Sequence, residues 1–182
     1  MQAGCWRRGR GPTSSGRSTR TRRAVPREVW VRLFRSAERD IAILAYSALF
    51  LAEDAGILPI LADKGGAGVT VRIALGDPDG PHAARRGEEE GIGDAMPAKI
   101  RNALALYRPL GTVQNIEIRL HRTVLYNSIY RADGQFLVNQ HTYGIPAAQA
   151  PVFCLCDAGG GEMAALYRDS FERVWASSAP LA

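Results

Sequence analysis

The run "LYNSIYRAD", residues 125–133, carries the side chains best suited to act on a bound molecule: the phenol of Tyr126, the hydroxyl of Ser128 and the carboxylate of Asp133. Strand alternation puts Tyr126, Ser128 and Tyr130 on one face, and Asn139, His141 and Tyr143 alternate in the same way in "LVNQHTYG". Both faces of the first run mix polar and apolar groups, as suits a strand whose end opens into a cleft. Two further candidates, Asp77 and Asp79, stand in "GDPDG" at the end of a β-branched run, and His121 closes "IEIRLH". Such a set can hold a polar ligand. As a nucleophile Tyr126 is poor, because a phenol of pKa about 10 stays protonated with no base beside it. His121 and His141 equally suit core positions with their polar edges satisfied, and His82, beside Pro81, suits a solvated turn.

Metal chemistry finds little support. Asp77, Asp79 and the run Glu88, Glu89, Glu90 offer oxygen ligands for a hard cation, but the ligand and glycine spacing of an EF-hand loop is missing. Cys154 and Cys156 form a C-x-C pair whose thiols point to opposite faces of a strand, a poor clamp and a poor disulfide. The histidines are scattered, without finger-like spacing. No metal or cofactor is expected, and the cysteine usage points to a reducing, cytoplasmic setting.

The elements that must position these residues follow from periodicity. "PREVWVRLFRSAER" has Val29, Leu33 and Phe34 at helical spacing after Pro26. "DIAILAYSALF" reads as a buried strand passing into a helix that ends near Gly65 and Gly66, and "GVTVRIALGDPDGP" as a second strand stopped by a turn. Together they form a β-α-β unit, which implies parallel strands under a right-handed crossover. "HAARRGEEEGIG" is expected to be an acidic, glycine-rich loop, and "DAMPAKIRNALALYRPL" a helix with Ile100, Leu104 and Tyr107 inward and Pro97 in its first turn. "IEIRLHR", "LYNSIYRAD", "QFLVNQHTYG" and "APVFCLCDA" read as strands, the middle two joined by a hairpin through Asp133 and Gly134. "EMAALYRDSFERVW" closes the chain as a helix with Met163, Leu166, Tyr167, Phe171, Val174 and Trp175 inward. The order predicts an α/β sandwich with a mixed sheet flanked by helices. There is no internal repeat.

"LYNSIYRAD" resembles the H-x-K-x4-D motif of phospholipase D-like domains, in which a strand presents a nucleophilic histidine and a phosphate-binding lysine ahead of an aspartate. Counting back from Asp133, Ser128 stands at the lysine position and Tyr126 at the histidine position. "AERDIAILAYSALF", "GVTVRIALGD" and the hairpin leading to "LVN" are similar to that fold as well. Starting instead from His121 or His141 never restores the nucleophile and the cation together. Loss of a single charge-stabilising donor typically costs about 10²–10³ in rate, so the resemblance implies the fold without the phosphodiesterase chemistry. A closer resemblance, carried by "VWVRLFRSAERDI", "RIALGDPD", "RGEEEGIGDA", "EIRLHRTVLYNSIYRADGQFLVNQHTYGIPAA" and "SFERVW", is to the C-terminal domain of actinobacterial Xre-type helix-turn-helix regulators. It implies a non-catalytic sensing or dimerising module; here an arginine-rich segment stands where the DNA-binding half is expected. A phosphodiesterase with an altered site and a nucleic-acid-binding protein remain the alternatives.

Charge locates the partners. Of 182 residues carrying +5, residues 1–27 hold eight arginines and no acid, which leaves −3 for residues 28–182. Residues 1–26 have too few apolar groups to offset the entropy of ordering and are expected to be a disordered tail ahead of a domain over 27–182. The tail has the composition of a transit peptide without amphipathic spacing, or of a phosphate-neutralising arm, or of leftover coding sequence. The longest apolar run is too short to span a bilayer, so no membrane partner is expected. Expected partners are a small-molecule ligand and a second copy of the chain, with Tyr126, Tyr130, Tyr143 and Ile145 as contacts; DNA is met only indirectly or through the tail.

Overall fold

The computed structural model describes residues 20–157 and 161–181. Its centre is one mixed sheet in the order β1-β7-β6-β5-β2-β3-β4-β8, built from Arg20–Thr21 (β1), Asp40–Ala45 (β2), Thr70–Gly76 (β3), Ile116–His121 (β4), Asn127–Ala132 (β5), Gln135–Gln140 (β6), Pro151–Cys156 (β7) and Ala179–Pro180 (β8). β2, β3 and β4 run parallel, whereas β5 lies antiparallel to β2 and continues through β6 and β7 as a meander. The helices are Arg27–Arg35 (α1), Leu49–Ala52 (α2), Ile57–Gly66 (α3), Pro81–Glu89 (α4), Ala95–Tyr107 (α5) and Glu162–Ala176 (α6). This is the α/β sandwich expected from the order of the runs.

Strand alternation divides the core in two. Ile41, Ile43 and Ala45 of β2 share one apolar layer with Leu33 and Phe34 of α1 and Leu61 of α3, while Ala42 and Leu44 face Ile100 of α5 and Phe171 and Trp175 of α6. β2 is buried on both faces, so it reads as a continuous apolar run. Gly65 lets α3 approach the sheet, since a Cβ there would stand 2.5 Å from the Ile116 side chain.

Four expectations need correction. The tail does not extend to residue 26: Arg20 and Thr21 pair with β7, the Arg22 and Arg23 amides donate to the carbonyls of Ala150 and Ala148, and Val25 is buried. Backbone pairing with a sheet edge needs no apolar side chains, which is why composition missed it; the rest of the segment lies outside the described residues. "HAARRGEEEG" is helix rather than loop. Pro81 starts α4, Arg85 and Arg86 pair with Glu89 and Glu90 one turn on, and Gly87 lies so close to the Gly93 carbonyl that a Cβ would reach 2.0 Å from its oxygen. On α6, Met163 and Leu166 face outward; Ala164, Phe171, Val174 and Trp175 are buried. Finally, Cys156 is free and exposed but Cys154 is disulfide-bonded, so the cysteines do not argue for a reducing compartment. No described helix is long and apolar enough to cross a membrane.

Candidate functional site

A cavity of about 230 Å³ opens where β2 ends, at the point where its neighbours change from parallel β3 to antiparallel β5. Ligands in open α/β sheets bind beyond the carboxyl ends of strands at such changes of order. Tyr46, Ser47 and Ala48 leave β2 along the cavity wall, and Ala48 turns the chain into α2 at φ 46°, a left-handed conformation costly for a residue with a Cβ. Ser128 and Tyr130 enter from β5, His141 from the end of β6, Arg86 and Glu90 from the end of α4, and Lys99 from α5.

Ser128 and His141 are the two candidates that the structure brings together at this cavity. Ser128 Oγ lies 3.0 Å from His141 Nε2, and His141 Nδ1 lies 3.0 Å from the Leu125 carbonyl oxygen. Burial, reinforced by the Arg86 charge, lowers the His141 pKa from 6.5 to about 4, so the ring is neutral. The ring stacks at 5.8 Å on Tyr46, whose hydroxyl accepts the Leu125 N–H at 3.2 Å. Arg86 is nearly buried; it donates to Glu90 at 2.8 Å and to the Ile145 carbonyl at 3.1 Å, and so ties α4 to the segment after β6.

The other candidates lie outside the cavity. Asp77 and Asp79 stand at the end of β3, two strands from β5, and are taken up by arginines: Arg122 donates to Asp77 at 2.7 Å and Arg101 to Asp79 at 2.6 Å. Burial of Asp77 opposes ionisation, but Arg122 and the Asp79 amide overcome it and lower its pKa. His121 is a core residue, with Nε2 against the Ala45 carbonyl at 3.2 Å and Nδ1 accepting the Thr123 N–H at 3.3 Å; burial holds its pKa at about 4. Tyr126 is 78% exposed. Asp133 lies at the far end of β5, at φ 50°, where its carboxylate accepts the amides of Glu38, Arg39 and Asp40 at 2.8–3.0 Å. Asn139 is fully buried, donates to the Pro151 carbonyl at 3.1 Å and leaves Oδ1 without a partner. Tyr130 packs against Trp30 and is unavailable as a surface contact, whereas Tyr143 and Ile145 are exposed. No group of metal-ligating side chains occurs among the described residues.

Sequence reading missed Tyr46, Arg86 and Lys99. Tyr46 was signalled by its place just beyond a parallel strand; Arg86 was hidden by reading its helix as a solvated loop.

No family model matches the chain, and no curated protein matches it. Among solved structures, Nuc of Salmonella typhimurium, a phospholipase D family member, superposes with a TM-score of 0.51 at 17% identity, over 90% of this chain and 97% of that one. The fold is phospholipase D-like. TrmBL2, an archaeal chromatin protein with a novel mode of DNA binding, superposes with the same TM-score of 0.51 at 13% identity, over 82% of this chain. This chain spans 48% of the length of TrmBL2.

Proposed function

We propose that this phospholipase D-like domain is the ligand-sensing and dimerising module of a transcriptional regulator, in which the cleft persists without phosphodiester chemistry. The observation that carries the reading is the fate of the three motif positions. Tyr126 stands in solvent, Ser128 supplies a neutral hydroxyl where the motif has a cation, and Asp133 caps a turn at the opposite end of β5. The cavity beside Ser128 nevertheless remains open, with arginine and lysine in its lining. A second copy would meet the exposed rim of Val124, Tyr126, Tyr143 and Ile145, the aromatic-rich kind of surface that interfaces favour.

The test has two arms. Turnover of bis-p-nitrophenyl phosphate is expected to be absent, and turnover that disappears in Tyr126→Phe overturns the reading. In sedimentation, a monomer persisting at about 100 μM removes the dimerising role, since even micromolar affinity corresponds to only about 8 kcal/mol. Screening polar metabolites by thermal shift, with Lys99→Ala as the control, tests the sensing role.

A second reading, contact with nucleic acid, rests on the eight arginines of residues 1–27. It predicts binding that weakens steeply with salt and falls when residues 1–19, which precede the edge strand and hold four of these arginines, are removed.

A further inference from the structure

The hydrogen bonds along the cavity wall run in one direction. The Leu125 carbonyl needs a donor, so His141 carries its proton on Nδ1 and turns the Nε2 lone pair toward Ser128 Oγ, 3.0 Å away. The hydroxyl therefore donates to the imidazole, the arrangement in which a serine attacks while a histidine takes its proton. A main-chain carbonyl orients the base here in place of a carboxylate, and Leu125 is itself anchored through its N–H to Tyr46. A cross-strand pair that only satisfied a half-buried histidine would have no need to face a cavity. This one does.

We propose that Ser128 is a nucleophile activated by His141, acting on short-chain acyl esters whose remainder carries negative charge. The inference goes beyond the sensing role, because a cleft can bind a ligand whether or not its serine reacts. A carbonyl is favoured over a phosphodiester because Arg86, the guanidinium whose charge acts on His141, is already engaged by Glu90 and the Ile145 carbonyl. The small volume limits the acyl group. With Arg86 paired to Glu90, the remaining lining cations Arg22 and Lys99 outnumber the acid Glu53, which favours an anionic remainder.

In the acylation step the Oγ–carbon bond forms as the Ser128 proton passes to His141 Nε2, and the ester's alkoxy group departs with its bonding pair and that proton. Water then attacks the acyl carbon and gives a proton to His141, which returns it to Oγ as the acid leaves. The charged or titratable groups that line the cavity with His141 are Arg86 and Glu90 of the α4 end, Lys99 of α5, Arg22 ahead of α1, Glu53 after α2, Tyr46 after β2 and Tyr130 of β5. Held neutral down to about pH 4, His141 is a free but weak base, so reaction should be slow and nearly constant between about pH 5 and 8.

The experiment treats the full chain with a fluorophosphonate probe and, separately, with p-nitrophenyl acetate, and maps the adduct by peptide mass. The expected result is modification of Ser128, loss of it in Ser128→Ala, and a rate about 100-fold lower in His141→Gln, with little dependence on pH. His141→Gln keeps an amide for the neighbouring hydrogen bonds, and circular dichroism checks its fold. Should either variant unfold, the adduct position and pH profile of the unsubstituted protein decide. An adduct elsewhere, no adduct, a rate indifferent to a folded His141→Gln, or a rise of about tenfold between pH 6 and 8 overturns the proposal. Metabolite-induced thermal shifts without labelling would leave the sensing role standing, so the two ideas fail separately.

Discussion

The two ends of β5 meet opposite kinds of polar surroundings. Near Ala132, charges are matched to charges: Arg131 pairs with Asp40, Arg72 holds Glu172 through two hydrogen bonds of 2.7 Å, Arg168 pairs with Asp157, and Asp133 gathers three main-chain amides. Near Asn127 the groups carried by the strand ends are neutral, Ser128, a histidine held uncharged and two tyrosines, and they face an open cavity whose other walls bring Arg22, Arg86, Glu90 and Lys99. Paired charges leave no bonding capacity for a ligand, so the first end closes the domain. The second end keeps polar atoms facing space, and space is what a ligand requires.

The largest effect should come from opening the closed end. Asp40→Ala leaves the buried Arg131 guanidinium, whose Nε already lacks a partner, without its counter-charge. A loss of about 3 kcal/mol in denaturant unfolding is expected, while Asp40→Leu with Arg131→Met retains most of the stability. A loss below about 1 kcal/mol for the single change would reduce the pair to a surface salt bridge and erase the contrast.

Acid should then separate the two ends. His121 and His141 have folded pKa values lowered from 6.5 to about 4, so the folded state is fully favoured above pH 6.5 and loses stability as pH falls toward 4. For the fully buried His121 this amounts to roughly 3 kcal/mol. Asp133 and Glu172 have lowered pKa values too; their contribution is present above the ordinary carboxylate range and is lost only at lower pH. For Asp133 burial opposes the shift, and the amide hydrogen bonds prevail. Unfolding midpoints measured from pH 7 down to 3 should therefore fall in two stages, the first becoming smaller in His121→Gln. A single stage below pH 4 would contradict the neutral-histidine end.

A moderate effect is expected at the turn. Asp133→Asn keeps a residue that tolerates φ 50° but removes the charge facing three amides, for a loss of about 1–2 kcal/mol. Tyr126→Ala, at 78% exposure, should change stability by less than about 0.5 kcal/mol. A larger change in unfolding experiments would mean that the rim supports the fold.

Several features were readable from local pattern. The β-α-β start appears as β2, α2, α3 and β3, the Asp133–Gly134 hairpin joins β5 to β6, and Pro97 lies in the first turn of α5. Each rests on periodicity or turn chemistry confined to a few neighbouring residues. The exceptions are equally local in cause. α4 was masked because charge and glycine content suggest a loop, whereas the pairs that hold it, Arg85–Glu89 and Arg86–Glu90, appear only once the run is wound.

The site was less legible, because it depends on which strand ends meet. Asp133 and Ser128 are five residues apart and look like parts of one motif, but an extended strand carries them to opposite ends of the sheet. Ser128 and His141, 13 residues apart, become hydrogen-bond partners because the hairpin sets β6 beside β5. Alternation and composition are properties of the chain order, and they settled which runs become strands and that the sheet would be mixed. Which polar groups are neutralised by a distant arginine, and which face a cavity, was decided by packing, since Coulombic and hydrogen-bond partners are chosen by distance in space and not along the chain.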